Sequence, residues 1–302
     1  MRPLVPGIVA VTCALGITHA RADHLDDQLG PREIAVGEAM RAGAIGAIAI
    51  GLNPSGLPLN RELVFEGGYG YRTSDSASLV SVSACDSTNA APGCFFYSYA
   101  GSHPDLGGME LSRSTHVGGM ALSRMLVPRV LLGGTVKYFR TSSDVPGEED
   151  AKGFTFDLGA TVRLTERINL GVSGQNLWST EESAQFPRAI GGGVLARPIP
   201  MFTLSFDSRW KTEGDGGARF GGGAEYFIRL RDMGIPLRAG ALHDNGLDAT
   251  YVTGGIGIAT MRFTIDVGAR HEIRGGDETV ILASMRLFGP RLAAPSLGAL
   301  GE

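Results

Sequence analysis

In the stretch FTFDLGATVRL, residues 154–164, the side chains change character at every step. Phe154, Phe156, Leu158, Ala160, Val162 and Leu164 share one face, and Thr155, Asp157, Gly159, Thr161 and Arg163 share the other. That is the two-residue period of a strand with one oily and one watery side. MRFTIDVGAR repeats it, with Met261, Phe263, Ile265, Val267 and Ala269 against Arg262, Thr264, Asp266, Gly268 and Arg270. FTLSFDSRW and RINLGVSGQ follow the same rule. A chain patterned this way folds as sheet. The segments run about 9 to 12 residues, the length a tilted strand needs to cross a bilayer, whereas soluble strands average roughly five or six.

The alternation predicts about 14 strands, near 61–72, 77–86, 94–102, 112–124, 129–141, 152–164, 167–178, 187–197, 200–211, 218–230, 235–243, 249–258, 261–271 and 277–288. Connections after even-numbered strands are mostly tight (LVP, TE, RPIP, RDMG, AT), and those after odd-numbered strands are longer and polar (TSSDVPGEEDA, STEESAQF, KTEGDGG, EIRGGDE). Outer-membrane barrels join short periplasmic turns to longer outside loops in this way. Tyr69, Tyr71, Tyr138, Phe154, Trp178, Trp210, Tyr226 and Tyr251 are expected toward the outer ends of their strands as an aromatic girdle, where an apolar ring with a polar edge suits the membrane–water interface. The expectation is an all-β fold, a transmembrane antiparallel up-and-down barrel. A soluble sandwich, with the oily faces meeting in a core, is the competing architecture.

Residues 1–22 read as a cleaved secretory signal peptide, with Arg2 ahead of an apolar run and Ala20-Arg21-Ala22 as the cleavage site. Two cysteines then remain, Cys85 and Cys94, and in an exported chain a close pair most simply forms a disulfide across one loop. That loop breaks the length rule, because it falls on the short-turn side. An acidic, mobile lead-in is expected over 23–33, a luminal plug over 34–60, the barrel over 61–288 and a tail over 289–302. The plug segment, IAVGEAMRAGAIGAIAIGL, carries Glu38 and Arg41 as its only charges. Asn53-Pro54-Ser55-Gly56 closes it with a strong turn signal. This turn either reverses the chain inside the lumen to feed the first strand or lies outside as a periplasmic turn.

These segments resemble the outer-membrane transport superfamily that includes FadL, TodX and the PorV/PorQ-type proteins. The carrying residues are MRAGAIGA (40–47), NPSGL (53–57), LSRMLVPRVLLGGTVKYFR (122–140), GFTFDLGATVRLTERINLGVSGQNLW (153–178), FPRAIGGGVLARP (186–198) and PLRAGALHDNGLDATYVTGGIGI (236–258). The likeness is closest to the PorV-like branch. It implies a fourteen-stranded barrel with an N-terminal luminal segment, in the outer membrane of a Gram-negative bacterium. On the FadL side it implies a channel for hydrophobic small molecules, gated by the plug through Arg41, Asn53, Pro54, Ser55 and Gly56. On the PorV side it implies a non-enzymatic component that binds exported proteins or secretion machinery. The chain departs from the family in lacking the usual acidic stretch before Asn53, and in placing Leu287 rather than Phe288 in phase with the oily residues of the last strand.

No catalytic constellation stands out, so no enzyme activity, cofactor or metal is expected. His116 near Ser112 and Ser114 is the one local hint of a hydrolase, and His243 with Asp244 and Asp248 reads as a loop turn. Without a basic stripe and with a net charge of −4, a nucleic-acid partner is not expected. The expected surroundings are outer-membrane lipid around a monomeric barrel. Lys137, Asp157, Arg163, Asp207, Arg209, Arg262, Asp266 and Arg270 point inward by period. They either line a pathway or pair with one another to fill the lumen.

Overall fold

The computed structural model describes residues 30–106, 108–181, 186–213 and 217–289. Among them, fourteen strands form one closed antiparallel barrel in which sequence neighbours pair and the last strand pairs with the first. They are β1 Leu63–Arg72, β2 Ala77–Asp86, β3 Gly93–Ser102, β4 Arg113–Val127, β5 Val130–Ser143, β6 Ala151–Arg163 and β7 Ile168–Ser179. The circuit continues through β8 Ala189–Ile199, β9 Phe202–Lys211, β10 Gly217–Arg229, β11 Gly234–Asp244, β12 Ala249–Ala259, β13 Phe263–Arg274 and β14 Thr279–Phe288. A two-residue hairpin, Asp105–Leu106 with Met109–Glu110, sits in the loop between β3 and β4.

Alternation decides which face is which. Val172, Phe206, Ile256 and Ile281 are each at least half exposed on the outside, whereas Asp157, Thr161, Asp207 and Asp266 are buried inside. No second sheet covers the oily faces within the described residues, so the sandwich alternative is excluded. Such a wall is stable only where the outside is not water. Among the described residues no helix is long and apolar enough to cross a membrane, so the strands are the crossing elements.

One rim carries the tight connections 128–129, 164–167, 200–201, 230–233 and 260–262. The start of β1 and the end of β14 lie on this rim too. Cys85 and Cys94 are direct cross-strand partners at the same end, joined by a disulfide and buried on the inner face. The bridge closes 87–92, the longest connection on the short-turn rim, so the departure from the length rule is a stapled loop. The signal peptide, the lead-in up to residue 29 and the tail from residue 290 lie outside the described residues. Residues 30–33, expected as the end of a mobile lead-in, are inside the barrel instead, with Pro31 and Glu33 buried.

Candidate functional site: a luminal segment and the cavity beside it

The lumen is occupied by residues 30–60. They form α1 (Pro31–Ile34), α2 (Ala47–Leu52) and a 3-10 turn (Pro54–Leu59). Chain and wall meet so closely that the wall needs glycine. A Cβ on Gly133 would lie 2.5 Å from the Pro54 carbonyl carbon, one on Gly159 2.0 Å from the Asn53 Oδ1, and one on Gly171 2.6 Å from the Arg41 oxygen. The track continues through Gly221 and Gly240 against Gly37 and Val36, Gly255 against Ala35, and Gly268 against Pro31. Read from β5 round to β13, these glycines follow the segment backward from Pro54 to Pro31. They account for part of the high glycine count, 45 of 302.

Asn53 is the centre of the fastening. Fully buried, its Nδ2 donates to the Arg41 carbonyl at 2.9 Å and to the Thr161 hydroxyl at 3.1 Å. Its Oδ1 accepts from the Ser55 amide at 3.2 Å and the Ser55 hydroxyl at 2.7 Å. With both ends of the amide satisfied, Asn53 caps the 3-10 turn that Pro54 begins. Of the two placements open from sequence, the turn is luminal. Gly56 lies against the Ala44 carbonyl, where a Cβ would come within 1.8 Å. Arg41 donates from its amide to Asp207 at 2.8 Å and from Nε to Ser173 at 2.8 Å, and pairs with Asp207 through Nη1 at 3.3 Å. Glu38 is held by Arg270 and Arg219.

The inward charges are largely consumed by one another. Lys137 pairs with Asp157 at 2.8 Å and donates to Asn176 at 2.9 Å. Asp266 accepts from Arg238 at 2.7 Å and from Arg286 at 2.8 Å. Arg209 donates to Gln175 at 2.8 Å, and Arg270 pairs with Glu278 at 3.0 Å beneath the Tyr251 ring. Arg163, half-buried, ends β6 beside Met125 on the short-turn rim. Arg262 is a correction. β13 starts at Phe263, which leaves Arg262 exposed in the preceding turn and outside the lumen.

Six of the girdle residues, Tyr69, Tyr71, Tyr138, Phe154, Trp178 and Trp210, are exposed on the outer face near the long-loop rim. Tyr251 is not. It points inward, 1% exposed, and stacks on Arg270, because its phase in β12 is that of Thr253 rather than Val252. Tyr226 faces outward but pairs with Phe202 at the start of β9, so it belongs to the short-turn end. His116 also faces outward, its Nδ1 sharing a hydrogen bond of 2.7 Å with the Tyr97 hydroxyl, while the Ser112 hydroxyl donates to Asp144 at 2.5 Å. Asp244 is held by Arg219 and Asp248 by Arg274.

The segment leans to one side and leaves room on the other. Between it and the wall of β14, β1, β2, β3 and β4 lies a cavity of about 100 Å³. Ile34, Ala47 and Ile50 bound it from the segment, and Leu79, Phe96, Val117, Val280 and Leu282 from the wall. Its polar lining is small (Ser81, Ser83, Ser98, Ser284), with the carboxyls of Glu33 and Glu66 and the Arg72 and Arg270 guanidiniums at its edge. Desolvation, and then the Glu66 charge, pushes the Glu33 carboxyl up to about 7. An engineered apolar cavity of roughly 150 Å³ in another protein holds benzene, so this space is on the scale of a single ring.

Several residues here escaped sequence reading. Arg219, Glu225 and Arg238 carry inward charge, and simply extending the alternation through GARFGGGAEYF and IPLRAGALHD would have found them. Glu33 was hidden by its acidic neighbours. Asn176 had no signal, since its positive φ of 52° marks an irregularity in β7 that turns it inward.

No family model and no curated protein sequence matches this chain. Solved structures do. The Ralstonia pickettii toluene transporter TbuX aligns with a TM-score of 0.70 at 14% identity, covering 88% of this chain and 100% of that one. The Pseudomonas putida toluene transporter TodX gives 0.69 at 14%, covering 87% and 98%. A Pseudomonas aeruginosa FadL homologue gives 0.66 at 12%, covering 85% and 98%. The fold is that of the FadL-type outer-membrane barrels. These neighbours lie on the FadL and TodX side of the superfamily, so neither the closer likeness to the PorV-like branch nor a secretion partner is supported.

Proposed function

We propose that this chain is an outer-membrane channel for small hydrophobic molecules, about the size of one aromatic ring. The observation that carries the reading is the apolar cavity between the luminal segment and the β14–β4 wall, in a barrel whose fold is shared with proteins described as a toluene transporter and a monoaromatic hydrocarbon channel. The chemistry agrees. A neutral apolar solute gains by leaving water for this lining, whereas a charged one meets ion pairs that already satisfy each other. No catalytic step is part of the reading.

In this proposal the segment gates passage. Arg41, Asn53, Pro54, Ser55 and Gly56 act as its anchor on the wall, and the α1 and α2 surfaces facing the cavity are the part that yields. Introducing Ser98→Phe would fill the cavity from β3 without touching the anchor. Uptake of radiolabelled toluene by cells carrying this variant is expected to fall about tenfold, while the barrel keeps its heat-sensitive electrophoretic mobility. Unchanged uptake with a correctly folded barrel would count against the cavity as the route.

A further inference from the structure

The tight turns of the short-turn rim are unlike ordinary turns in water, which favour Gly, Asn, Asp and Ser. Turn after turn pairs an arginine with a large apolar residue. Leu126 and Val127 precede Arg129; Leu230 and Met233 flank Arg231; Met261 precedes Arg262; and the turn at 200–201 carries Ile199 and Met201. All of these apolar side chains are exposed, from 38% for Met201 to 67% for Met261. The three arginines are exposed as well, and among the described residues none has a carboxylate within ion-pair distance. Arg197, near the turn at 200–201, lies instead by the luminal Arg32 and Glu225. Arg167 adds a fourth at the turn between β6 and β7, its guanidinium donating to the Pro198 carbonyl at 3.3 Å.

The opposite rim carries the reverse charge. One of its loops alone holds Asp144, Glu148, Glu149 and Asp150. The two ends of the barrel therefore meet different surroundings. An exposed methionine beside an unpaired guanidinium is poorly matched to bulk water but well matched to a lipid interface. There the thioether chain reaches the first methylenes and the planar fork binds phosphate oxygens. The turns at 128–129, 164–167, 200–201, 230–233 and 260–262 are spread from β4 round to β13. A protein partner would contact one patch, whereas surrounding lipid contacts every turn.

We propose that the short-turn rim is a phospholipid-binding collar. Its arginines hold the phosphates of the adjoining leaflet, and its Leu, Ile and Met side chains enter the acyl region, fixing the depth and tilt of the barrel. This rests on the membrane placement of the barrel but not on the channel reading.

The test uses the full chain in mild detergent, titrated with phosphatidylglycerol, with a phosphate-free diacylglycerol of the same chains, and with inorganic phosphate. Phosphatidylglycerol is expected to raise the melting temperature saturably and to remain bound in native mass spectra, and neither control should do so. The combined R129Q/R167Q/R231Q/R262Q variant should lose more than half of the retained lipid and of the shift. An equal shift from diacylglycerol or from free phosphate would overturn the proposal, as would a variant that binds like wild type. If the combined variant does not fold, R231Q/R262Q takes its place with about half the effect expected, and no change there overturns the proposal. A photo-crosslinking residue at Met261 supplies the last arm in cells. Lipid adducts support the collar, and a dominant protein adduct would replace it with a docking surface.

Discussion

The wall from β5 to β13 and the wall from β14 to β4 follow the same outward pattern but treat their inner positions differently. On the first, many inward residues are glycine, so the chain can touch the wall, or charged and hydroxylic, so it can be tied there. Gly159, Thr161, Asp207 and Arg270 are examples, and buried Leu131, Phe139 and Leu195 stand among them. On the second, the middle positions are small hydroxyls and aliphatics, from Ser81 and Ser98 to Val117 and Leu282, and the segment meets them by apolar packing, as Ile34 does against Val280 and Leu282, rather than by ion pairs. One wall is a mount. The other is left as a chamber. A single period-2 rule sets the barrel, and the choice of inward residue decides where the lumen is filled.

Breaking the mount should have the largest effect. Gly159→Leu places a side chain where the Asn53 amide now lies, 2.0 Å from the first added carbon. Residues 30–60 should then become accessible to protease in a barrel that still forms, and toluene uptake should rise several-fold. A segment that stays protected would mean the glycine track is not what seats it.

Removing one tie is a milder change. In Asp207→Ala the Arg41 guanidinium, 3% exposed, keeps Ser173 but loses its carboxylate. Stripping one partner from a buried pair costs about 3–5 kcal/mol. The melting temperature should drop by several degrees, and Arg41→Met on the same background should restore much of it. A failure of that second substitution to rescue would show that Asp207 matters through other contacts.

How much of this was legible in the sequence follows from the same contrast. Barrel, strand order and outward face were readable because alternation is local, and Phe154, Leu170 and Val267 lie where their phase puts them. Asn53 was readable as a turn but not as a buried knot, since its partners Arg41 and Thr161 come from a second segment and a strand far along the chain. Tyr251 and Arg262 mislead for different reasons. In β12 the alternation itself puts Tyr251 with Thr253 on the inner face, so a tyrosine near a strand end need not join the girdle. Arg262 keeps the inward phase but falls one residue before β13 begins, at a strand end where periodicity is weakest. The chamber left no mark, because an absence of tying residues has no motif.

The smallest expected effect concerns pH. Glu33, at about 7 in the folded protein against an ordinary 4.5, holds a proton that the unfolded chain gives up. A raised acid pKa means that stability is greatest below 4.5 and declines as pH rises to 7, levelling off once both states are ionised. Amide exchange in residues 30–36 should therefore quicken between pH 5 and 8 beyond its intrinsic trend. Glu33→Gln should remove the excess. A wild type whose excess matches the variant's would place Glu33 in contact with water.

The most direct test of the chamber is to look for a ligand in it. Crystals of the full chain exposed to a bromotoluene should show an anomalous bromine peak bounded by Ile34, Ile50, Phe96 and Leu282. Bromine found only on the outer wall, with that space empty at saturating ligand, would contradict the account.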